Sequence, residues 1–354
     1  MTDVVFETHQ HIGVITLDRG QALNAINLPM VKVMQQQLLQ WQSDDNVHAV
    51  VLKAAPGKAF CAGGDVRWLY DTGLAKDPVQ MEFFLHEYRL NHFISQFSKP
   101  YIALMDGITM GGGVGISMHG SHPVASERFV FAMPETGIGL FPDIGASYLL
   151  SRCPGQLGLY LALTGNKLGT GDTLAAGLVK HVIDADKFSK ILPELAEMDL
   201  SRKAYQQVST CLANMETPSS PSTSHEELEK INFFFQNSSL KDIMHTLEQN
   251  DDPWASKTLS CLQQKSPLSL EVTFAQITRA KTMSLAECLK MDYCLVGHFM
   301  AGSDFYEGIR AVLIDKDKTP RWQPEHVNLV TATNVANYFE NCQPELTLIN
   351  PTTE

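Results

Sequence analysis

The chain has 354 residues, 44% of them hydrophobic, enough for a large buried core and for two domains or one enlarged domain. Its 39 Asp and Glu outnumber 27 Lys and Arg, giving a formal charge of -12. Neutralising phosphates dominates nucleic-acid affinity, so that charge argues against a nucleic-acid partner; an anionic small molecule remains compatible where a few cations gather. Seven cysteines, at 61, 153, 211, 261, 288, 294 and 342, form no C-x-x-C pair. Neither a disulfide framework nor a zinc knuckle is suggested, and the thiols are expected to be reduced and mostly buried. The opening stretch Met1-Thr2-Asp3-Val4-Val5-Phe6 lacks the features of a signal or transit peptide, and no apolar run reaches the roughly 18 residues of a membrane helix. A cytoplasmic protein that does not enter a membrane is the expectation.

In chain order, Val4 to Glu7 and Gly13 to Leu17 read as a hairpin around His9-Gln10-His11. Asn27-Leu28-Pro29 caps a helix over about 28–42, with Val31, Met34, Leu38 and Trp41 on one face. Strands are predicted at 49–52, 101–105, 123–125, 129–131 and 179–183, and an amphipathic segment at 78–97. Helices follow at 145–152, 155–163 and 170–176. This alternation indicates an α/β fold. A Pro/Ser/Thr-rich stretch at 214–225 reads as a linker between a core of 1–213 and a helical region of 226–354, with helices near 226–236, 253–264, 267–280 and 284–301.

Two glycine-rich loops follow apolar strands: Cys61-Ala62-Gly63-Gly64-Asp65 and Met110-Gly111-Gly112-Gly113. Two readings stand: tight strand-to-helix turns, or bare backbone whose N–H groups converge on an oxyanion. Neither loop completes G-x-G-x-x-G, and P-loop and G-x-S-x-G motifs are absent. The stretch from Met133-Pro134-Glu135 to Phe141-Pro142-Asp143 sets two acids in apolar, Gly/Pro-rich surroundings, where a carboxyl's pKa rises toward neutrality. His119 and His122 form H-x-x-H without an acidic third ligand, so no metal is expected. Cys61 reads as a packing residue, and the charges of Asp304 to Arg310 as structural pairs.

Taken together, Lys58 to Asp65, Gly107 to Gly113, Met133-Pro134-Glu135 and Asp172 to Val179 resemble the crotonase (enoyl-CoA hydratase/isomerase) superfamily over roughly residues 5 to 190. The resemblance implies a spiral of ββα repeats with a helical C-terminal region, binding a short acyl-CoA thioester, and amides of Gly64 and Gly112 as its oxyanion hole. It differs from the hydratases at Gly115, where they carry a second acid, and at Asp143, where they usually have Gly. Glu135, Asp143, Glu87-Tyr88-Arg89-Leu90-Asn91 and Asp304 to Lys316 instead look like the superfamily's branch of 3-hydroxyisobutyryl-CoA hydrolases, up to about residue 340.

That branch implies thioester hydrolysis in valine breakdown. Glu135 and Asp143 would be catalytic; Glu87, Gly112, Glu135 and Asp143 would contact substrate. Lys58, Ala62 and Arg67 are the candidate coenzyme A contacts, and no cofactor is implied beyond the coenzyme A of the substrate. An enoyl-CoA hydratase or isomerase, and a noncatalytic acyl-CoA-binding protein, stand as alternatives. Homo-oligomer formation stays open: relatives trimerise through C-terminal helices, a surface that the enlarged C-terminus here could cover.

Overall fold

A computed structural model describes residues 3–342 and 344–349. Met1 and Thr2 of the opening stretch, and the end of the C-terminal region at 350–354, lie outside the described residues. The hairpin is present as β1 (Val4–His9) antiparallel to β2 (Ile12–Leu17). From β2 a parallel sheet grows through β3 (Ala49–Ala54), β5 (Tyr101–Met105), β7 (His122–Ala125) and the two-residue β10 (His181–Val182). A second sheet runs β4 (Ala59–Cys61), β6 (Ile108–Met110), β8 (Val130–Ala132) and β9 (Leu168–Gly169), its first three strands parallel.

The two sheets are built by repetition. Strands β3, β5 and β7 each enter the large sheet, and β4, β6 and β8 follow them directly into the small one before the chain turns helical. Because β4, β6 and β8 are parallel neighbours, the loops that leave them gather at one edge, the carboxyl edge where α/β folds collect ligand-binding groups.

The large sheet is apolar on both faces, as the period of two dictates. Ile15, Leu17, Val50, Leu52, Ala103 and Met105 join the main core, shared with α1 (Leu28–Ser43), α2 (Val66–Leu74), α3 (Val79–Ser95) and α4 (Gly112–Met118). The alternate residues Ile12, Val14, Ala49, Val51, Ile102, Leu104 and Val124 form a second core. It is covered by α8 (Phe188–Glu197) and α9 (Ala204–Met215), two helices the sequence reading leaves out.

Between them in the chain come α5 (Ala146–Leu150), α6 (Leu157–Thr164) and α7 (Thr170–Ala175). Residues 216–224 form neither helix nor strand, yet they are tied down: Ser222 Oγ and Thr223 N donate to Asp172 at 2.5 and 2.8 Å. Beyond them lie α10 (His225–Phe235), α11 (Leu240–Glu248), α12 (Pro253–Gln263), α13 (Pro267–Ala280), α14 (Leu285–Ala301), α15 (Asp304–Ile309) and α16 (Ala332–Asn337). Their buried faces belong to the main core: Leu270, Ile277, Leu289, Leu295 and Phe305 pack in one cluster with Phe60, Phe131 and Phe141.

One cysteine expectation needs correcting. Cys294 on α14 and Cys342 form a disulfide, Cα atoms 4.7 Å apart; the other five thiols are free. Their separation of 48 positions hid the pair, because the turn that brings the chain back over α14 is a tertiary feature. Among the described residues no helix is long and apolar enough to cross a membrane, and no group of His, Cys, Asp and Glu is placed to hold a metal.

Candidate active site

The ends of β4, β6 and β8 carry the two glycine loops and the acid loop. After β4, the backbone is pinned by Ala62 N to Leu23 O at 3.0 Å, Ile26 N to Gly63 O at 2.8 Å and Asp65 N to Ile26 O at 2.8 Å. Gly63, at φ 121, turns the chain there, a conformation side chains rarely adopt. After β6, Gly111 at φ 46 starts α4. A Cβ on Gly113 would meet Cys61 O at 2.4 Å, so the two loops approach to a distance only glycine permits. Gly64 and Gly112 face each other across this seam: a Cβ on Gly112 would lie 3.4 Å from Gly64 N and 2.5 Å from Glu87 Oε1.

Glu135 leaves β8 on the turn Met133-Pro134. A Cβ built on Gly111 would sit 3.2 Å from its Oε1, which puts that carboxyl beside the second glycine loop. Its Oε2 and the Glu87 Oε1 are buried with no hydrogen-bond partner. Glu135 and Asp143 are each 6% exposed and Glu87 is 2% exposed. Burial, then the charge of Asp143, pushes the Glu135 and Glu87 carboxyls well above their ordinary range. Asp143 itself is pushed up to about 6 by burial, with the hydrogen bond from Tyr88 opposing. That bond, Tyr88 Oη to Asp143 Oδ2, is 2.7 Å long.

The acid loop is held from the C-terminal helices. Ser266 N donates to Thr136 O at 3.1 Å, and Gln276 Nε2 donates to Pro142 O at 2.9 Å, so α13 grips it near both ends. Asp292 on α14 accepts from Gly145 N and Gln276 Nε2, both at 2.8 Å. Between these anchors Ile144 adopts φ 56, a strained conformation for a β-branched residue, with its carbonyl 2.7 Å from His119 Nε2. His119 thus holds the loop; burial lowers its pKa to about 4 and keeps it neutral. Gly139 is pressed against α15, where a Cβ would meet Asp304 O at 2.2 Å.

Of the residues singled out in the sequence, Glu87, Gly64, Gly112 and Glu135 converge on one buried seam, with Asp143 coupled to Glu87 and Glu135 through its charge. Lys58 and Arg67 are exposed, outside the buried acids, and the Ala62 amide is taken up by Leu23. Cys61 is buried, its thiol pushed up to about 12 by burial, which suits packing and not nucleophilic attack. Asp304 accepts from Ser266 Oγ at 2.6 Å, and Arg310 pairs with Glu307, Asp315 and Asp317: structural contacts. Tyr88, His119, Gln276 and Asp292 were not singled out as supports of the acid loop. Tyr88 stands beside Glu87 and carries a signal; the other three have none, because their partners come from distant parts of the chain.

Two sheets built by repetition, with glycine loops and an acid loop at one edge, describe a crotonase-type enzyme. The family model for enoyl-CoA hydratase/isomerase matches residues 12–339, and the chain belongs to that family. Among curated relatives, 3-hydroxyisobutyryl-CoA hydrolase, mitochondrial, of Xenopus tropicalis is 46% identical over 92% of this chain and 86% of its own. Its Homo sapiens counterpart is 40% identical over 96% and 89%. Among solved structures, a carnitinyl-CoA dehydratase from Mycobacterium thermoresistibile superposes with a TM-score of 0.90 at 35% identity, over 98% of both chains. An enoyl-CoA hydratase from Rhodobacter sphaeroides 2.4.1 gives 0.90 at 34%, over 98% of this chain and 100% of that one.

Proposed function

We propose that the protein hydrolyses the thioester of 3-hydroxyisobutyryl-CoA, or of a close short 3-hydroxyacyl-CoA, to the free acid and coenzyme A. One observation carries this reading: Glu87 and Glu135 are buried beside the glycine loops with the Asp143 charge acting on both, while Gly115, where the hydratases bear their second acid, has no side chain. Adding water across a double bond requires a base on the water and an acid for the carbon, and residue 115 supplies neither. The hydrolase names of the curated relatives support the same activity.

In this reading the Gly64 and Gly112 amides hold the thioester oxygen as it becomes an oxyanion. Glu135 drives attack at the carbonyl carbon, either directly or by taking a proton from water. A C–O bond forms, the C–S bond breaks, and the departing thiolate takes up a proton. Asp143 and Glu87 bind the acyl group's polar substituent. This reading gives no role to a redox or metal cofactor; coenzyme A arrives with the substrate, and Lys58 and Arg67, both exposed beside the first loop, are the candidates for its phosphates. Label found in Glu135 after a single turnover in ¹⁸O-water marks the anhydride route, since water attacking the glutamyl carbonyl carries it there, whereas the general-base route labels the acid product alone.

The solved structures' names favour a second reading, hydration or dehydration of an enoyl-CoA. Thiol release from 3-hydroxyisobutyryl-CoA, followed alongside hydration of crotonyl-CoA, decides between them. Rapid thiol release without hydration supports the hydrolase; hydration without thiol release sinks it. The cytoplasmic placement expected from the opening residues is at odds with the mitochondrial designation of the relatives. Imaging the tagged full-length chain in its own cells distinguishes the compartments.

A further inference from the structure

Asn91 lies one helical turn beyond Glu87 on α3 and is fully buried, yet neither Nδ2 nor Oδ1 has a hydrogen-bond partner. Leaving a buried amide unsatisfied is costly, and native proteins rarely do so unless a ligand or water completes the group. Its neighbour is equally telling. A Cβ on Gly115 would lie 2.7 Å from Asn91 Nδ2 and 2.9 Å from Oδ1, so the amide fills the space that a side chain at 115 would need.

Helices α3 and α4 therefore meet in two rungs. Glu87 stands against Gly112 in the first, and Asn91 against Gly115 in the next. Four residues of helix separate the two α3 residues by about 6 Å along the axis. With a thioester carbonyl at Gly64 and Gly112, the first rung stands beside it and the second follows one helical turn further along α3. Glu87 Oε1 and the Asn91 amide are the unpartnered groups there.

Resting on the hydrolase reading, we infer that Asn91 is a specificity-determining residue that receives the 3-hydroxyl of the acyl group. A hydroxyl both donates and accepts. A carboxyl can donate only while it keeps its proton, whereas Asn91 Nδ2 is a donor at every pH and serves the hydroxyl oxygen. Glu87 or Asn91 Oδ1 takes the O–H. A site built in this way rejects the analogue without the hydroxyl, because its buried polar groups are then left unpaired.

The test compares kcat/KM for 3-hydroxyisobutyryl-CoA and isobutyryl-CoA in wild type, Asn91→Leu and Asn91→Ala, with melting temperatures measured in parallel. Wild type should favour the hydroxylated substrate. Asn91→Leu should reduce that preference by roughly 10- to 100-fold, through the hydroxylated substrate, with unchanged or higher melting temperature. A preference unchanged in either folded variant overturns the inference, and a drop in melting temperature with unchanged preference assigns Asn91 a structural water instead. A wild type that treats both substrates alike overturns it without any variant. No thiol release from either substrate overturns the hydrolase reading itself, and this inference falls with it.

Discussion

Glu87, Glu135, Asp143 and Asp292 are buried acids whose carboxyls all hold their protons more tightly than in water, burial being the largest cause for each. An acid whose pKa is raised in the folded state contributes stability that is fully present below its ordinary pKa and lost as pH climbs through the raised value. The cluster therefore weakens the fold at neutral pH. Glu135→Gln should raise the melting temperature at about pH 8, with the gain vanishing near about pH 4; calorimetry at the two pH values checks this. In the proposed mechanism activity follows the opposite slope, because Glu135 would work ionised. The acid limb of kcat/KM should fall above the ordinary carboxylate range, and Asp143→Asn should move it to lower pH in the residual activity, since the Asp143 charge raises Glu135. A limb unmoved in the variant would contradict the coupling. In the sequence, Glu135 and Asp143 stood out as acids among apolar neighbours, whereas Glu87 passed for an exposed helical acid until a family resemblance marked it. Asn91 entered only as the last residue of that family segment, because burial without a partner has no signature in a single chain.

The elements that carry these residues differ in how plainly the sequence announces them. Helix α1 is visible through its cap and apolar spacing, and α13 (Pro267–Ala280) falls on the predicted range because Ser266 caps it and Pro267 opens it. Helix α4 is not visible: it begins in glycine and is buried on every side, so no amphipathic period exists to read. Helix α8 contains Pro193, and strands β9 and β10 have two residues each, held by neighbouring strands and not by propensity. The grip of α13 and α14 on the acid loop is likewise a tertiary product. Asp292→Ala would leave the Gly145 amide unpaired and Gln276 Nε2 with Pro142 O as its acceptor, at about 2 kcal/mol. We expect that loss in denaturant unfolding, together with a lower kcat as Ile144 relaxes from its strained conformation. Unchanged kcat in the destabilised variant would show that the loop keeps its shape without α14.

Across the whole molecule, the helices from residue 225 onward share the main core, and α13 and α14 hold the acid loop, so they fold as one unit with the candidate site. A chain ending near residue 224 should lack both a cooperative unfolding transition and thioesterase activity. The disulfide between Cys294 and Cys342 predicts five titratable thiols in the unreduced, denatured protein, where seven would contradict it. The α/β class and the repeated glycine loops were legible because they recur in order along the chain; the disulfide was not, since it depends on how distant segments return.

The central claim is that Glu135 cleaves a thioester at the meeting point of the two glycine loops. Thiol release from 3-hydroxyisobutyryl-CoA by wild type and Glu135→Gln tests it most directly, with folding of the variant verified by its melting temperature. The account predicts a loss of about 10³-fold in kcat in a variant at least as stable as wild type at about pH 8. Thiol release undiminished in the folded variant would contradict it.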